Sequence, residues 1–259
     1  MQLRSLGRML CAMPRRLIVH RIQQGANVLP EDQAHHARDV LRLRAGDEVE
    51  LFTASGETAA GAIAEATAQR VVVNVEQVRA PADRFALTIA SAVPKGARAD
   101  WMIEKLSELG VARFVPLITA RSVVHPEGKN KLERWRRLAE ESAKQSKRIG
   151  VMGIDPPTPV RSVIDRISGT AAYLSTAPTA LPPSSILDLP SSSLTLLIGP
   201  EGGWADDEIR AFENRHLTPI TLGGTILRVE TAAIAAAAIV AALVPGKHDL
   251  SSQRSSKSS

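Results

Sequence analysis

One cysteine, Cys11, occurs in 259 residues. That excludes an intramolecular disulfide framework and any cysteine-rich zinc or iron-sulfur site, and a reducing cytoplasm fits best. Long apolar runs are missing as well. A bilayer-spanning helix needs about 18 or more uncharged apolar residues, and the nearest approach, 232–244, is shorter and mostly alanine. A buried helix explains that stretch better. Aromatic residues make up only 3% of the chain, so side-chain platforms for stacking planar ligands are scarce. His35 and His36 are adjacent and point in different directions on a helix, so they make no two-ligand metal face, and no metal is expected. No GxSxG elbow, GxGxxG fingerprint or GxxxxGK[ST] loop is present, which removes the common hydrolase, dinucleotide and phosphate-loop readings.

What is present is the composition of a globular protein, with 44% hydrophobic and 23% charged residues. Lysine and arginine total 32 against 27 acids, a small excess that favours an anionic partner such as nucleic acid. The first sixteen residues, MQLRSLGRMLCAMPRR, are basic and free of acids. They lack a long apolar core and a cleavage pattern, so 1–12 reads as an upstream extension before a start at Met13.

From Leu17 to Val78 the segments RLIVHRI, DEVELFT, TAAGAIAEA and RVVVNVEQV read as short strands of a small β-barrel, with turns at Gly46 and Asp47 and at Ser55 and Gly56. Between the first two strands, EDQAHHARDVLRLRAGD reads as a helix that opens near Glu31 and Asp32 and stops at Gly46, carrying Arg38, Arg42 and Arg44. Pro81 marks a boundary, which gives one domain over 13–82 and a second over 83–246. In the second, FALTIASAV, DWMIEKLSELG, FVPLI and a basic helix from Asn130 to Arg148 alternate strand and helix, the pattern of a parallel sheet covered by helices. PPTPV and the stretch from Ala177 to Ser193 read as surface loops, and AAYLS between them as a short buried strand. The serine-rich tail over 247–259 has no face to bury and is expected to be disordered.

Two strand-turn-helix units close the domain, LTLLIGPEGGWADDEIRAFE and TPITLGGTILRVETAAIAAAAIVAAL. Each sets a glycine loop at the carboxyl end of an apolar strand, where open α/β sheets bind ligands. Ile198, Gly199, Pro200, Glu201, Gly202 and Gly203 read equally well as an ordinary βα turn. Arg228, taken alone, reads as an exposed charge snorkelling at a helix start. Two such loops on one sheet edge turn both readings toward a site.

The GPEGG turn, followed by acidic residues and then LGGTILRVETA before an alanine-rich helix, resembles the RsmE family of 16S ribosomal RNA (uridine-N3) methyltransferases in the SPOUT superfamily. PKGARADWMIEKLSELGV, FVPLITARS, ESAKQSKR and HHARDVLRLRAGDEVELF extend the resemblance from Met13 to Leu243. It implies a deep C-terminal trefoil knot, an exception to unknotted topology, behind a PUA-like RNA-binding barrel. It also implies a homodimer and bound S-adenosylmethionine held by Leu174, Ser175, Ile198, Gly199, Pro200, Glu201, Gly202, Leu222, Gly223, Ile226, Leu227, Arg228 and Thr231. Arg228 is the implied catalytic cation, assisted by Glu201 or Glu230, although Glu230 reads equally as a structural partner of Arg228. RNA in the small ribosomal subunit would be held by Arg15, Arg38, Arg42, Arg44, Lys95, Lys144, Gln145 and Arg148. Thr225 departs from the pattern, because many members carry a second arginine there, and it is assigned no contact. Two other readings stay open: a SPOUT 2′-O-ribose methyltransferase, and a non-catalytic RNA-binding protein of ribosome assembly.

Overall fold

The computed structural model describes residues 15–81, 85–122, 129–188 and 192–244. The expected extension over 1–12, the start at Met13 and the tail over 247–259 lie outside the described residues. The chain divides into two compact units, one up to Ala82 and one from Asp83.

The first unit is built from β1 (Arg15–Ile18), β2 (Gly25–Val28), α1 (Glu31–His35), β3 (Glu48–Phe52), β4 (Thr58–Ala66) and β5 (Val71–Val75). The strand order is β1-β3-β4-β5-β2, with β1 parallel to β3 and the other pairs antiparallel. Alternation explains the core: Val49 and Leu51, then Val71, Val73 and Val75, face inward and are buried with Leu17 and Ile63. Among the described residues β1 and β2 do not pair with each other, so the sheet is open at that seam rather than a closed barrel. The strand β2, GANV, is absent from the sequence reading because glycine and asparagine are poor strand formers.

The helix expected to reach Gly46 is also shorter. α1 passes into one turn of π-helix, His36–Val40, and the backbone then turns away at Arg42, whose φ is 54°. Leu41 N donates to His36 O and Leu43 N to Ala37 O, which closes the end in wide turns. Arg42 and Arg44 therefore lie past the helix and not on one helical face with Arg38.

The second unit runs β6 (Ala86–Ser91), α2 (Ala97–Glu108), β7 (Arg113–Ile118), α3 (Lys129–Gln145), β8 (Gly153–Ile154), β9 (Thr158–Pro159), α4 (Val160–Arg166), β10 (Thr170–Leu174), β11 (Ser193–Ile198), α5 (Asp206–Asn214), β12 (Thr218–Ile220) and α6 (Val229–Leu243). PPTPV, expected as a loop, ends in the short strand β9 and opens α4. The sheet order is β12-β10-β11-β6-β7-β8, with β9 on β7, and every pair is parallel. Leu87, Ile89, Leu194, Leu196 and Ile198 bury one sheet face under α2, α3 and α6. Ala90, Val115, Leu117 and Leu197 bury the other under α4 and α5. Each fully buried Leu or Ile contributes about 1.5–3 kcal/mol, so the two layers hold the central strands rigidly and leave only their carboxyl ends to carry loops. No helix among the described residues is long and apolar enough to cross a membrane.

Candidate functional site

The carboxyl ends of β12, β10 and β11, adjacent in the sheet, project three loops toward one another. Together they enclose a cavity of about 530 Å³. Leu174, Ser175, Ile198, Gly199, Pro200, Glu201, Gly202, Leu222, Gly223, Ile226 and Leu227 all line it, and so does Thr225. Two expected contacts fall elsewhere. Thr231 is exposed on the first turn of α6, because Val229 and Ala232 are the residues three apart that turn to the cavity. Arg228, also exposed, lines an adjoining opening of about 470 Å³ with Arg98, Glu201, Ile226 and Leu227.

The GPEGG loop is braced from three sides. Trp204 Nε1 donates to the carbonyl of Leu174 at 2.9 Å, which ties the ends of β10 and β11 together. The indole stands edge-on to Phe212, with centroids 4.8 Å apart, and lies so close to Gly199 that a Cβ there would sit 2.9 Å from the ring. Gly203 turns the chain with φ of 72°, its amide donating to Pro200 O, and Arg121 Nη1 donates to Gly202 O at 2.9 Å. Glu208, buried at the start of α5, accepts from Ala205 N with one carboxylate oxygen and from Ala120 N with the other, both at 2.9 Å. That carboxylate fastens the helix start to the loop after β7.

The second loop has a different anchor. Glu230, at the start of α6, has a side chain only 6% exposed and accepts from Arg98 Nη1 at 3.1 Å. Its other oxygen, Oε2, is buried and has no hydrogen-bond partner among the described residues. The same Arg98 nitrogen lies 3.8 Å from Glu201 Oε1, whose side chain is 64% exposed. The partner expected for Glu230 was Arg228; Arg98 fills that place, and no carboxylate among the described residues pairs with Arg228. Lone charges buried in this way are costly, which accounts for the pairing of Glu230 with Arg98.

The expected RNA-binding residues are not equivalent. Arg15, Arg42, Arg44, Lys95 and Gln145 are exposed, and Lys144 is half-buried on α3. Arg38 grips Asp39 with Nε and Nη2, at 3.0 and 2.8 Å, and donates Nη1 to Thr67 O. Asp39 holds the Arg38 guanidinium above its ordinary pKa, and Arg38 holds the Asp39 carboxyl below its own. Arg148 donates Nη1 to Ser107 O and Val111 O, at 2.9 and 2.8 Å, and so closes the carboxyl end of α2. These two half-buried arginines also hold carbonyls and a carboxylate of the fold. Sequence reasoning missed Arg98, Arg121, Trp204 and Glu208. Arg98 stands inside PKGARAD, where nothing local marks a target 132 residues along the chain.

A family model described as an RNA methyltransferase domain matches residues 81–241, and one described as an RNA methyltransferase PUA domain matches residues 29–76. The ribosomal RNA small subunit methyltransferase E of Synechocystis is 32% identical, over 90% of this chain and 78% of its own length. That of Mycobacterium bovis is 31% identical, over 83% and 86%. The crystal structure of the Neisseria gonorrhoeae ribosomal RNA small subunit methyltransferase E, bound to S-adenosyl methionine, is 26% identical and covers 89% of this chain and 98% of its own, with a TM-score of 0.78.

Proposed function

The chain belongs to the ribosomal RNA small subunit methyltransferase E family of RNA methyltransferases, and from that premise we propose that it transfers a methyl group from S-adenosylmethionine to N3 of a uridine in 16S ribosomal RNA. The cavity suits the methyl donor. Its volume of about 530 Å³ falls within the roughly 300–1,000 Å³ usual for small-molecule sites. Leu174, Ile198, Leu222 and Leu227 supply apolar walls for a purine. The backbone amides of Leu222, Ile226 and Leu227 make no hydrogen bond among the described residues and are free to read its polar edge.

When bound, S-adenosylmethionine supplies an electrophilic methyl carbon on a positively charged sulfur. The chain's own work is positioning and charge. Uridine N3 carries a proton, and the Glu201 carboxylate, on the wall shared by both openings, accepts it. Arg228 places positive charge beside the carbonyl oxygens over which the deprotonated base spreads its negative charge. The electron pair on N3 forms the bond to the methyl carbon as the carbon-sulfur bond breaks and its pair passes to sulfur. Glu230, sequestered and paired, is a positioning residue and not a base.

The observation that carries this reading is the opening in which Glu201 and Arg228 stand directly beside the glycine-loop cavity. We also read the second unit, 83–246, as a trefoil-knotted SPOUT domain and the first, 13–82, as the PUA-like part that holds RNA. The packing of α6 against α2, β6 and β11 supports the former, and exposed Arg15, Arg42 and Arg44 support the latter. Ile226, 86% exposed on the rim of both openings, supports a homodimer in which the partner covers this loop. The test is a transfer assay with labelled S-adenosylmethionine and small subunits or 16S RNA lacking the modification, followed by mass mapping. Labelled 3-methyluridine is the expected product; label in a 2′-O-methylated nucleoside would reassign the chemistry, and no transfer despite cofactor binding would reassign the RNA.

A further inference from the structure

Uracil presents N3–H between two carbonyls, an acceptor-donor-acceptor edge, and loss of the N3 proton spreads the resulting charge onto both flanking oxygens. One cation beside that edge answers half of it. The opening that carries Arg228 and Glu201 carries a second arginine, Arg98, brought there from the start of α2. Arg98 spends only Nη1 within the described protein, hydrogen-bonded to Glu230 and 3.8 Å from Glu201; Nε and Nη2 make no hydrogen bond among the described residues, and its side chain is 40% exposed. A guanidinium that lines an opening, anchored at one nitrogen by a buried carboxylate and with donors to spare, is held ready for an acceptor. Burial of Glu230 also fixes the direction of Arg98, because the carboxylate is locked at the first turn of α6.

We infer that Arg98 and Arg228 are two cations that each meet one of the carbonyl oxygens flanking uridine N3, with Glu201 taking the proton between them, so that the site selects uracil by the charge pattern of its edge. This deepens the proposed uridine-N3 chemistry and rests on it. Cytosine is rejected by the same arrangement. Its N3 has no proton for Glu201, and its exocyclic amine turns N–H donors toward a guanidinium that has only donors to offer.

The test uses the full chain, with 16S RNA carrying either uridine or 5-fluorouridine at the methylated position. Fluorine makes N3 more acidic, so a substrate that has lost part of its need for a cation should depend less on Arg98. For Arg98→Gln we expect turnover on the uridine substrate to fall about 100-fold, the scale of removing one preorganised donor to a developing anion. Each pKa unit of added acidity should return up to about tenfold of that loss on the 5-fluorouridine substrate. Cofactor affinity by calorimetry should be unchanged, because Arg98 does not line the larger cavity. Since Arg98→Gln leaves Glu230 buried and unpaired, the double variant Arg98→Gln with Glu230→Gln repeats the measurement with that charge removed. Equal losses on both substrates with cofactor affinity intact, or wild-type turnover in either variant, would overturn the inference. If wild-type protein makes no 3-methyluridine on either substrate, the reading beneath it falls instead.

Discussion

The starts of α5 and α6 are built alike and finished differently. Each follows a glycine loop at the end of a parallel strand, and each carries a buried glutamate in its first turn, Glu208 in one and Glu230 in the other. Glu208 is satisfied at both oxygens by backbone amides. Glu230 is met at one oxygen by the side chain of Arg98 and, among the described residues, has no partner at the other. A carboxylate answered by fixed amides does nothing but hold. One answered by a cation that keeps donors free sets the aim of that cation. The difference teaches that burial of a glutamate at a helix start does not by itself mark function; what its partner has left to offer does.

The largest effect should fall on the α6 side. Arg228→Ala removes the exposed cation that stands at the residue before α6 and lines the opening with Glu201. Turnover should drop by about 100- to 1,000-fold, the loss seen when one preorganised electrostatic donor is deleted, while the melting temperature and cofactor affinity stay near wild type. A matching loss of cofactor affinity would move Arg228 into the donor cavity and blur the contrast. On the α5 side, Glu208→Ala removes a buried carboxylate and both of its hydrogen bonds, to the amides of exposed Ala120 and half-buried Ala205. A hydrogen bond to a charged group contributes about 1.5–3 kcal/mol, and water reaches the freed amides, so chemical unfolding should show a destabilisation of about 2–3 kcal/mol, with turnover per folded molecule retained. Loss of turnover without loss of stability would make Glu208 a second functional carboxylate.

Gly199→Ala probes the loop that leads from β11 into α5. The added methyl would sit 2.9 Å from the Trp204 ring, whose indole is held by Leu174 O and packed on Phe212. Overpacking of this kind costs roughly 1–3 kcal/mol. Since the ring braces the cavity wall, calorimetry should show cofactor affinity weakened by about tenfold, the equivalent of 1.4 kcal/mol. Unchanged affinity would mean that the brace is not what shapes the pocket.

Much of this arrangement was legible in the residues. Strand-helix alternation announced the parallel sheet, and GPEGG and LGGTILRVETA announced the loops, because glycines and a switch of period are local signals. The assignments that failed depend on direction and distance. LRLR after Val40 has the composition of a helix, yet Leu41 and Leu43 close back on His36 and Ala37. Arg98 meets Glu230 across 132 residues, a pairing that only the folded sheet brings about. Residue type announces a charge; it does not announce where the side chain points.

The smallest effect expected is at Asp207, next to Glu208 on α5 but on its exposed side. Asp207 Oδ2 lies 2.8 Å from Arg161 Nη2, with both side chains about half exposed or more. The hydrogen bond from Arg161 holds this carboxyl below the ordinary aspartate range. Its stabilisation is therefore present above the unfolded-state aspartate pKa and is lost as pH falls through the folded value. Exposed pairs are screened by salt and bring little, so Asp207→Asn should leave the neutral-pH melting temperature within experimental scatter at high salt. A small difference from wild type at low salt should disappear on acidification, and turnover should be untouched. The groove between α4 and α5, lined by Asp207 with Arg161, Arg210 and Arg215, is rich in arginine. If Asp207→Asn raised RNA affinity, the lost negative charge would mark that groove as an RNA-facing surface, and the α5 side of the comparison would cease to be purely structural.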